Sequence, residues 1–245
     1  MQRQALQAYI DELLEVNLYK DYAPNGLQVE GKSEIKKMVT GVTANQALID
    51  AAIRLNADAI LVHHGYFWKS EPQQIIGFKK RRIKSLLIND INLFGYHLPL
   101  DGHAELGNNA QLGKLWQLDN IEQDGLVFTA KLETPVSVEE FYDRVYETLD
   151  RKPLWLQGGP GILKTVSWCS GGAQGYIDKA IAKGADLFIS GEVSEQTTHL
   201  AQECGIHYFA AGHHATERLG IKALGEHLSE KFNLDVTFID IDNPV

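Results

Sequence analysis

The sequence predicts an α/β protein made of two similar halves from an internal duplication, each with a mostly parallel sheet covered by helices. Strand-like and helix-like segments alternate along the 245 residues, and they follow the same order in both halves. The stretch IDAAIRLNAD (49–58) also matches IDKAIAKGAD (177–186) at six of ten positions. We therefore expect two α/β halves, 1–122 and 123–245, packed closely together.

The first half reads as helices alternating with strands. Its predicted elements are an amphipathic N-terminal helix carrying Leu6, Ile10, Leu13 and Leu14, a β-branched strand at 35–44, a helix at 45–56 capped by Asn45, an apolar strand in 57–65, a helix at 78–90 and a strand at 91–101. Strand, helix, strand, helix, strand is the order typical of parallel sheets.

The second half repeats this order. Its predicted elements are a strand and glycine turn at 163–173, a helix at 174–184 closed by Gly184, a strand at 185–192, a helix at 194–205, and a strand that runs into a helix within 206–217. The intervening segment 118–162 reads as a strand followed by a helix that begins at Ser137. We expect this segment to join or decorate the halves.

Composition limits the classes of function. The net charge of −9 argues against binding to nucleic acids or membranes through overall charge. Two cysteines form no disulfide framework and lack the spacing of a metal site, which fits a reducing compartment. The first 16 residues contain no continuous apolar segment, so we expect no secretory signal there, and no apolar run approaches the ~20 residues that span a membrane. These features predict a cytoplasmic protein.

Histidines and carboxylates follow several of the predicted strands. These candidates are His63 and His64, His97 with Asp101, and His213 and His214 with Glu217. Ligands of parallel sheets bind beyond the carboxyl ends of the strands, so we expect these side chains near one another. The repeat places His64 opposite Glu192, and a second short match places His97 and Asp101 opposite His213 and Glu217.

Local geometry sets conditions on these side chains. Neighbouring residues of a strand point to opposite faces, so His63 and His64 serve one metal only if the strand has ended, which Gly65 permits. Alternatively, each histidine faces its own metal. Pro99 disfavours a helix before it, so we expect HLPLD (97–101) to be extended.

The converging set predicts a dinuclear metal site. His213 and Glu217 lie four residues apart at the start of a helix and share a face. The side chains that we expect to converge are therefore His63, His64, Asp101, His213 and Glu217. Five ligands are too many for one tetrahedral ion that keeps an open coordination position. They can hold two ions only if a carboxylate bridges the ions and water completes the coordination shells. Two divalent ions of this kind would lower the pKa of a bound water toward ~7. The nitrogen and oxygen ligands admit Zn, Mn, Fe or Ni.

Other candidates keep more than one interpretation. A histidine beside a strand is also found as a hydrogen-bonded core residue, and His97 is either structural or an acid/base group. Glu192 either orients a ligand, acts as a base or caps a helix. The basic run from Lys79 to Lys84 is either a solvated helix face or attracts a phosphorylated substrate. Tyr66, Phe67 and Trp68 either stack on a base or pack a loop.

Several segments together resemble a known family. They are DYAPNGLQVEG, VTGVTANQALIDAAI, ADAILVHHGYFW, GYHLPLDGHAELGNNAQLG, ISGEVSEQ and AAGHHATERLG. The chain is similar over nearly its whole length to the Nif-three-like (NIF3) dinuclear metal proteins, whose bacterial members are often labelled GTP cyclohydrolase I type II homologues. The resemblance implies a duplicated α/β fold and a toroidal homohexamer with metal pairs facing an internal cavity. It also implies metal ligands at the five positions above, with Glu217 bridging.

The expected function is that of a metal-dependent hydrolase with two divalent ions per subunit. Its substrate would be a nucleotide or another phosphorylated small molecule, with His97 or Glu192 moving protons. The alternative is a non-catalytic, metal-stabilised hexameric ring that acts as a scaffold or binds a partner. Nucleic-acid binding through the ring is the third interpretation, and the acidic total argues against it.

Overall fold

The structure is a computed structural model that describes every residue from Met1 to Val245. The chain forms two compact units. Unit 1 comprises Met1–Gly107 and Gly220–Asp242, and unit 2 comprises Asn108–Leu219 and Asn243–Val245. The predicted boundary between residues 122 and 123 stays a prediction, and each unit is described by itself.

The N-terminal part of unit 1 contains four helices and four strands. They are α1 (Arg3–Leu13), β1 (Gly26–Val29), β2 (Lys37–Thr43), α2 (Gln46–Arg54), β3 (Ala59–His64), α3 (Gly77–Ile88), β4 (Asn92–Gly95) and α4 (Leu98–Gly102). Asn45 caps α2 by accepting a hydrogen bond from the backbone of Leu48, as predicted.

Unit 2 has a larger number of strands. Its elements are α5 (Asn108–Leu115), β5 (Ile121–Asp124), β6 (Val127–Ser137), α6 (Val138–Leu149), β7 (Leu154–Leu156), β8 (Ile162–Cys169), α7 (Ile177–Ala182), β9 (Leu187–Ser190), α8 (Glu195–Cys204) and β10 (His207–Ala210). Ser137 caps α6 as predicted, with Glu139 and Glu140 in the first turn. The sheet order is β5-β6-β8-β9-β10-β7.

Two elements complete the chain. Helix α9 (His213–Phe232) begins in unit 2, and strand β11 (Asp235–Phe238) belongs to unit 1. The sheet of unit 1 has the order β1-β4-β3-β2-β11. None of the helices combines the length and the apolar composition needed to cross a membrane.

The two sheets share one four-strand arrangement, which confirms the predicted duplication. In unit 1, β2, β3 and β4 are parallel and β1 is antiparallel to β4. In unit 2, β8, β9 and β10 are parallel and β7 is antiparallel to β10. The strand order β1-β4-β3-β2 of one sheet therefore corresponds to β7-β10-β9-β8 of the other.

The last residue of the repeated ten-residue stretch plays the same role in both units. Asp58 Oδ2 accepts hydrogen bonds from the backbone N–H groups of Lys36 and Lys37, at 2.9 and 3.0 Å. Asp186 Oδ2 accepts equivalent bonds from Lys164 and Thr165, at 2.7 and 2.9 Å. Each aspartate thus fixes the backbone of the neighbouring strand, at the start of β2 in unit 1 and within β8 in unit 2, so this part of the repeat serves the fold.

The second sequence match is wrong by one residue. Gly95 pairs with Val62 in unit 1, and the corresponding pair in unit 2 is Ala210 with Ser190. His97 therefore corresponds to Gly212 rather than to His213. The reason is the turn after the strand. His97 is the N-cap of α4, whereas His213 is the first residue of α9 and follows Gly212, whose φ is +100°.

Apolar cores cover both faces of each sheet. In β3, Ala59 and Leu61 pack in one cluster, while Ile60 and Val62 pack in the other. Burial on both faces explains why parallel strands read as continuous apolar runs. It also leaves the carboxyl ends of these strands as the places where polar side chains gather.

Candidate metal centre

His63 and His64 close strand β3 in unit 1. The strand continues through both, and His64 pairs with Thr43 of β2, so of the two alternatives above, the one that requires the strand to have ended before them does not apply. Their ring centroids nevertheless lie 4.5 Å apart. The two imidazoles are therefore neighbours, with His63 buried and His64 half-buried.

Gly65 has a packing role rather than a conformational one. Its φ is not positive, and a Cβ there would collide with the side-chain amide of Gln28. That amide accepts a hydrogen bond from the backbone of Tyr66 at 2.7 Å and donates to the carbonyl of Pro24 at 2.8 Å. Glycine is needed because Gln28 fastens the turn that follows the histidines.

His63 is oriented by hydrogen bonding to the backbone. Its Nδ1 lies 3.0 Å from the carbonyl oxygen of Tyr96, which can only accept, so Nδ1 carries the proton. Its Nε2 therefore bears a lone pair in the neutral ring, and it lies 3.6 Å from Oδ2 of Asp101. Both side chains are buried.

Asp101 is held by helix α4, which corrects the prediction of an extended HLPLD segment. The backbone N–H groups of Leu100 and Asp101 donate to the carbonyl of His97 at 2.9 and 3.2 Å. Pro99 occupies the second helical position, where its missing N–H would have no partner in the helix. His97 and Asp101 are therefore one helical turn apart.

His97 joins the same group. Its ring centroid lies 5.1 Å from that of His63 and 5.7 Å from that of His64. One nitrogen from each of these three histidines lies within 4.8 Å of the other two. Trp68 packs edge-on against His97, with centroids 4.8 Å apart. Unit 1 thus contains a candidate metal-ligand group of imidazoles and Asp101.

Asp21 is a residue of this group that the sequence interpretation missed. Its carboxylate is almost fully buried and lies 2.7 Å from Nδ1 of His97. Burial alone would raise the pKa of Asp21, but hydrogen bonds from His97, Asn25 and the backbone of Leu98 lower it to about 2. The only signal in the sequence is an aspartate shortly before Asn25 and Gly26, a pair typical of turns, and such aspartates usually serve the turn alone.

The second group lies in unit 2 at the start of α9. His213 Nε2 is 3.2 Å from Oε2 of Glu217, one helical turn later, as predicted from their spacing. His213 Nδ1 is 2.6 Å from Oε1 of Glu192, which follows β9. Burial would lower the pKa of His213, but Glu217 and Glu192 outweigh it and raise the pKa to about 9. These carboxylates therefore create a field that favours positive charge.

Glycines make room for this helix start. Gly171 has φ of +65°, and a Cβ there would overlap Oε1 of Glu217. A Cβ on Gly191 would lie 2.6 Å from Cα of His213. The glycine-rich segments after β8 and β9 are thus explained by close packing against α9.

Comparison with known proteins identifies the family. The family described as Duf34/NIF3 (NGG1p interacting factor 3) matches residues 1–244. The chain belongs to the NIF3 family. Among its relatives, a GTP cyclohydrolase 1 type 2 homolog of Haemophilus influenzae is 57% identical, with 98% of both chains covered. The homolog of the same name from Escherichia coli K12 is 56% identical over the full length of both.

Solved structures agree with this NIF3 assignment. The structure titled protein ybgI, of unknown function, has a TM-score of 0.97 and a sequence identity of 55%. TTHA1606 from Thermus thermophilus has a TM-score of 0.94 and a sequence identity of 35%. Both comparisons cover 100% of each chain. Reduced HcgD from Methanocaldococcus jannaschii has a TM-score of 0.85 at 27% identity, with 99% of this chain and 98% of that one covered. The predicted family and fold class are confirmed.

The aromatic and basic segments that follow His63 and His64 in the sequence have different roles. The hydroxyl of Tyr66 donates to the carbonyl of Ala44, so this ring packs the loop. Lys79 is buried, lies 3.2 Å from Glu71 and covers the ring of Phe67. The first residue of the basic run is therefore structural, whereas Lys80, Arg81 and Lys84 are exposed.

Proposed function

We propose that this NIF3 protein binds two divalent metal ions and acts as a metal-dependent hydrolase on a nucleotide or another phosphorylated small molecule. The proposed ligands are His63, His64, Asp101, His213 and Glu217. The observation that carries the proposal is the spacing of ligand atoms in each unit, 3.6 Å for His63 with Asp101 and 3.2 Å for His213 with Glu217. Two atoms that each lie ~2.0–2.1 Å from a tetrahedral ion are about 3.3 Å apart.

The orientation of the histidines supports metal binding. His63 and His213 each direct Nδ1 to an oxygen, the first to the Tyr96 carbonyl and the second to Glu192. This arrangement is typical of metal-ligating histidines, because it fixes the ring and leaves Nε2 for the ion. The donor chemistry of both groups therefore fits Zn, Mn, Fe or Ni.

The proposal requires both groups to serve the same pair of ions. Neither group alone has enough ligands for two ions, and a bridging Glu217 is what the family resemblance implies. Two divalent ions carry +4, against −2 from Asp101 and Glu217. The ions and their two carboxylate ligands would thus keep a charge of +2, which suits an anionic substrate at this point although Asp21 and Glu192 lie nearby and the chain has a net charge of −9.

The residues of the chain have separate tasks in this proposal. Two bound divalent ions supply Lewis-acid activation of water and of the electrophilic centre. His97 accepts or returns a proton beside the ligand histidines, and Glu192 orients His213. GTP is the first substrate to test, since close relatives carry the name GTP cyclohydrolase 1 type 2 homolog. A cytoplasmic location belongs to the same proposal.

Elemental analysis followed by a substrate screen tests this function. The purified protein is loaded with the metal that it contains and incubated with GTP, other nucleotides and simple phosphoesters. We expect hydrolysis that is abolished by chelation and reduced about 100-fold by His97→Ala, with metal content retained. Hydrolysis of none of these substrates by fully loaded protein would contradict the proposed activity.

The alternative is a metal-stabilised homohexameric ring that serves as a scaffold. One observation favours an assembly: large apolar side chains at both ends of α3 are exposed, namely Ile75, Ile76, Phe78, Leu87 and Ile88. In this case chelation would lower the midpoint of thermal unfolding or dissociate the assembly in sedimentation experiments, and no substrate would be consumed. A hydrolase loses turnover on chelation whether or not it stays assembled.

A further inference from the structure

The carboxylate of Asp21 is surrounded by hydrogen-bond donors. Oδ1 accepts from the backbone N–H of Tyr22 at 2.6 Å and faces Nδ1 of His97 at 2.7 Å. Oδ2 accepts from Nδ2 of Asn25 and from the backbone N–H of Leu98, both at 2.9 Å. Each of its two oxygens therefore has two partners, and the only titratable one among the four is His97.

The loop that carries Asp21 is fixed around His97 from a second direction. Asn25 Oδ1 accepts from the backbone N–H of His97 at 2.8 Å. The loop is also joined to the turn after β3, because the backbone of Lys69 donates to the carbonyl of Tyr22 and its ammonium group donates to the carbonyl of Asp21. The position of the Asp21 carboxylate relative to the His97 imidazole is thus fixed by backbone groups of three segments: the Asp21 loop itself, His97 with Leu98, and Lys69.

An ionised carboxylate can only accept hydrogen bonds, so it dictates which nitrogen of its partner is protonated. Nδ1 of His97 must carry the proton, and Nε2 then bears the lone pair of the neutral ring. His97 also packs beside His63, His64 and Trp68, which limits its rotation.

We propose that Asp21 is a positioning residue that holds His97 in the Nδ1–H tautomer, so that His97 Nε2 is the proton acceptor beside the ligand histidines. The catalytic part of this inference rests on the proposed function, whereas the tautomer does not. During turnover, Nε2 would take one proton from the attacking water and return it to the leaving group, and Asp21 would keep its charge throughout. The inference also separates the two catalytic candidates: Glu192 holds His213, and His97 moves the proton.

Asp21→Asn is a sharp test because the surroundings dictate the orientation of the new amide. Two fixed donors, Asn25 Nδ2 and Leu98 N–H, face the Oδ2 position, whereas Oδ1 faces one fixed donor and the adaptable imidazole. The amide oxygen therefore turns to the side with two donors, and the NH₂ group points to His97. An NH₂ group donates to Nδ1, which forces the Nε2–H tautomer.

The measurement is ¹⁵N NMR of the full chain labelled at histidine, with His97→Ala identifying the His97 signals among the nine histidines. We expect the Nδ1–H tautomer for His97 in the wild type and the Nε2–H tautomer in Asp21→Asn. Asp58→Asn is the matched control, since it makes the same change in an aspartate that binds backbone N–H groups at the opposite end of the strands. It should leave the His97 tautomer unchanged.

Two results would overturn the inference. The first is an Nε2–H tautomer for His97 in the wild type, which decides the matter even if Asp21→Asn does not fold. The second is an unchanged tautomer in a folded Asp21→Asn protein.

Kinetics test the catalytic part with the same variants. With GTP or p-nitrophenyl phosphate, whichever the wild type hydrolyses, Asp21→Asn should lower kcat about 100-fold with KM and metal content nearly unchanged. An unchanged kcat in a variant with the altered tautomer would refute the catalytic part. If the wild type hydrolyses neither compound while the tautomer behaves as expected, the proposed function fails and the positioning role of Asp21 stands.

Discussion

At the residue scale, the site depends on partners that fix each imidazole. Tyr96, Glu192 and Asp21 each direct one nitrogen of a histidine, and none of them is adjacent in sequence to the ring that it orients. The sequence identified His63, His64 and His213 because they follow apolar strands. It did not identify Asp21, because its contact with His97 spans 76 residues and leaves no periodic pattern.

Glu192→Ala should weaken metal binding without unfolding the protein. The substitution removes the carboxylate that orients His213, and loss of such a partner typically costs ~10–100-fold in metal affinity. Affinity is measured by competition with a chromophoric chelator. Glu195→Ala is the control, because Glu195 is exposed and pairs only with His199 in the next turn. Equal affinities for the two variants would exclude an orienting role for Glu192.

Gly171→Ala should damage the second group through the backbone. Alanine is strained at φ of +65°, at a cost of about 1–3 kcal/mol, and its Cβ would displace the carboxylate of Glu217. We expect a lower free energy of unfolding in denaturant titrations and weaker metal binding. At Gly175, φ is not positive and a Cβ would meet nothing within 4 Å, so Gly175→Ala should change neither quantity. A Gly171→Ala protein with unchanged metal affinity would contradict the packing role.

At the element scale, strand ends were predictable and the turns after them were not. Alternating apolar segments identified the parallel strands, since burial on both faces demands continuous apolar runs. The segment after β4 was predicted to be extended because Pro99 disfavours the helical conformation in the residue before it. The structure forms α4 instead, because Leu98 is the first residue of the helix and Pro99 fits its first turn.

The duplicated aspartates give an element-scale prediction. Asp58→Ala removes the acceptor of two backbone N–H groups at the start of β2, which should lower the free energy of unfolding at neutral pH by about 1–3 kcal/mol. Burial would raise the pKa of Asp58, but hydrogen bonds from Lys32, Lys36 and Lys37 lower it below 3.8. The stabilisation is therefore complete above pH 3.8 and is lost as the pH falls through the lower pKa of the folded state.

Two comparisons check this prediction. The difference in unfolding free energy between wild type and Asp58→Ala, measured by urea titration, should shrink as the pH falls below about 4. Asp186→Ala in unit 2 should lose a similar amount at neutral pH, since Asp186 binds two backbone N–H groups in the same way. A difference for Asp58→Ala that stays constant from about pH 7 to about pH 3 would mean that its charge does not contribute.

At the scale of the whole molecule, duplication explains why the proposed ligands occur at equivalent strand ends and yet differ. The two sheets share the order of four strands, and His64, the last residue of β3, corresponds in the repeat to Glu192, which lies two residues after β9. The one-residue offset between His97 and His213 shows that the copies have diverged in the turns. The copies also differ at the ends of β3 and β9, where His63 and His64 of one copy correspond to Gly191 and Glu192 of the other.

The most direct test of the central claim is the number of metal ions bound per chain, measured by elemental analysis after loading and desalting. We expect two ions for the wild type. We expect loss of at least one ion both for Asp101→Ala in unit 1 and for Glu217→Ala in unit 2, with circular dichroism confirming that each variant is folded. A wild-type protein that retains no ion, or an ion count unchanged by either substitution, would contradict a shared dinuclear centre.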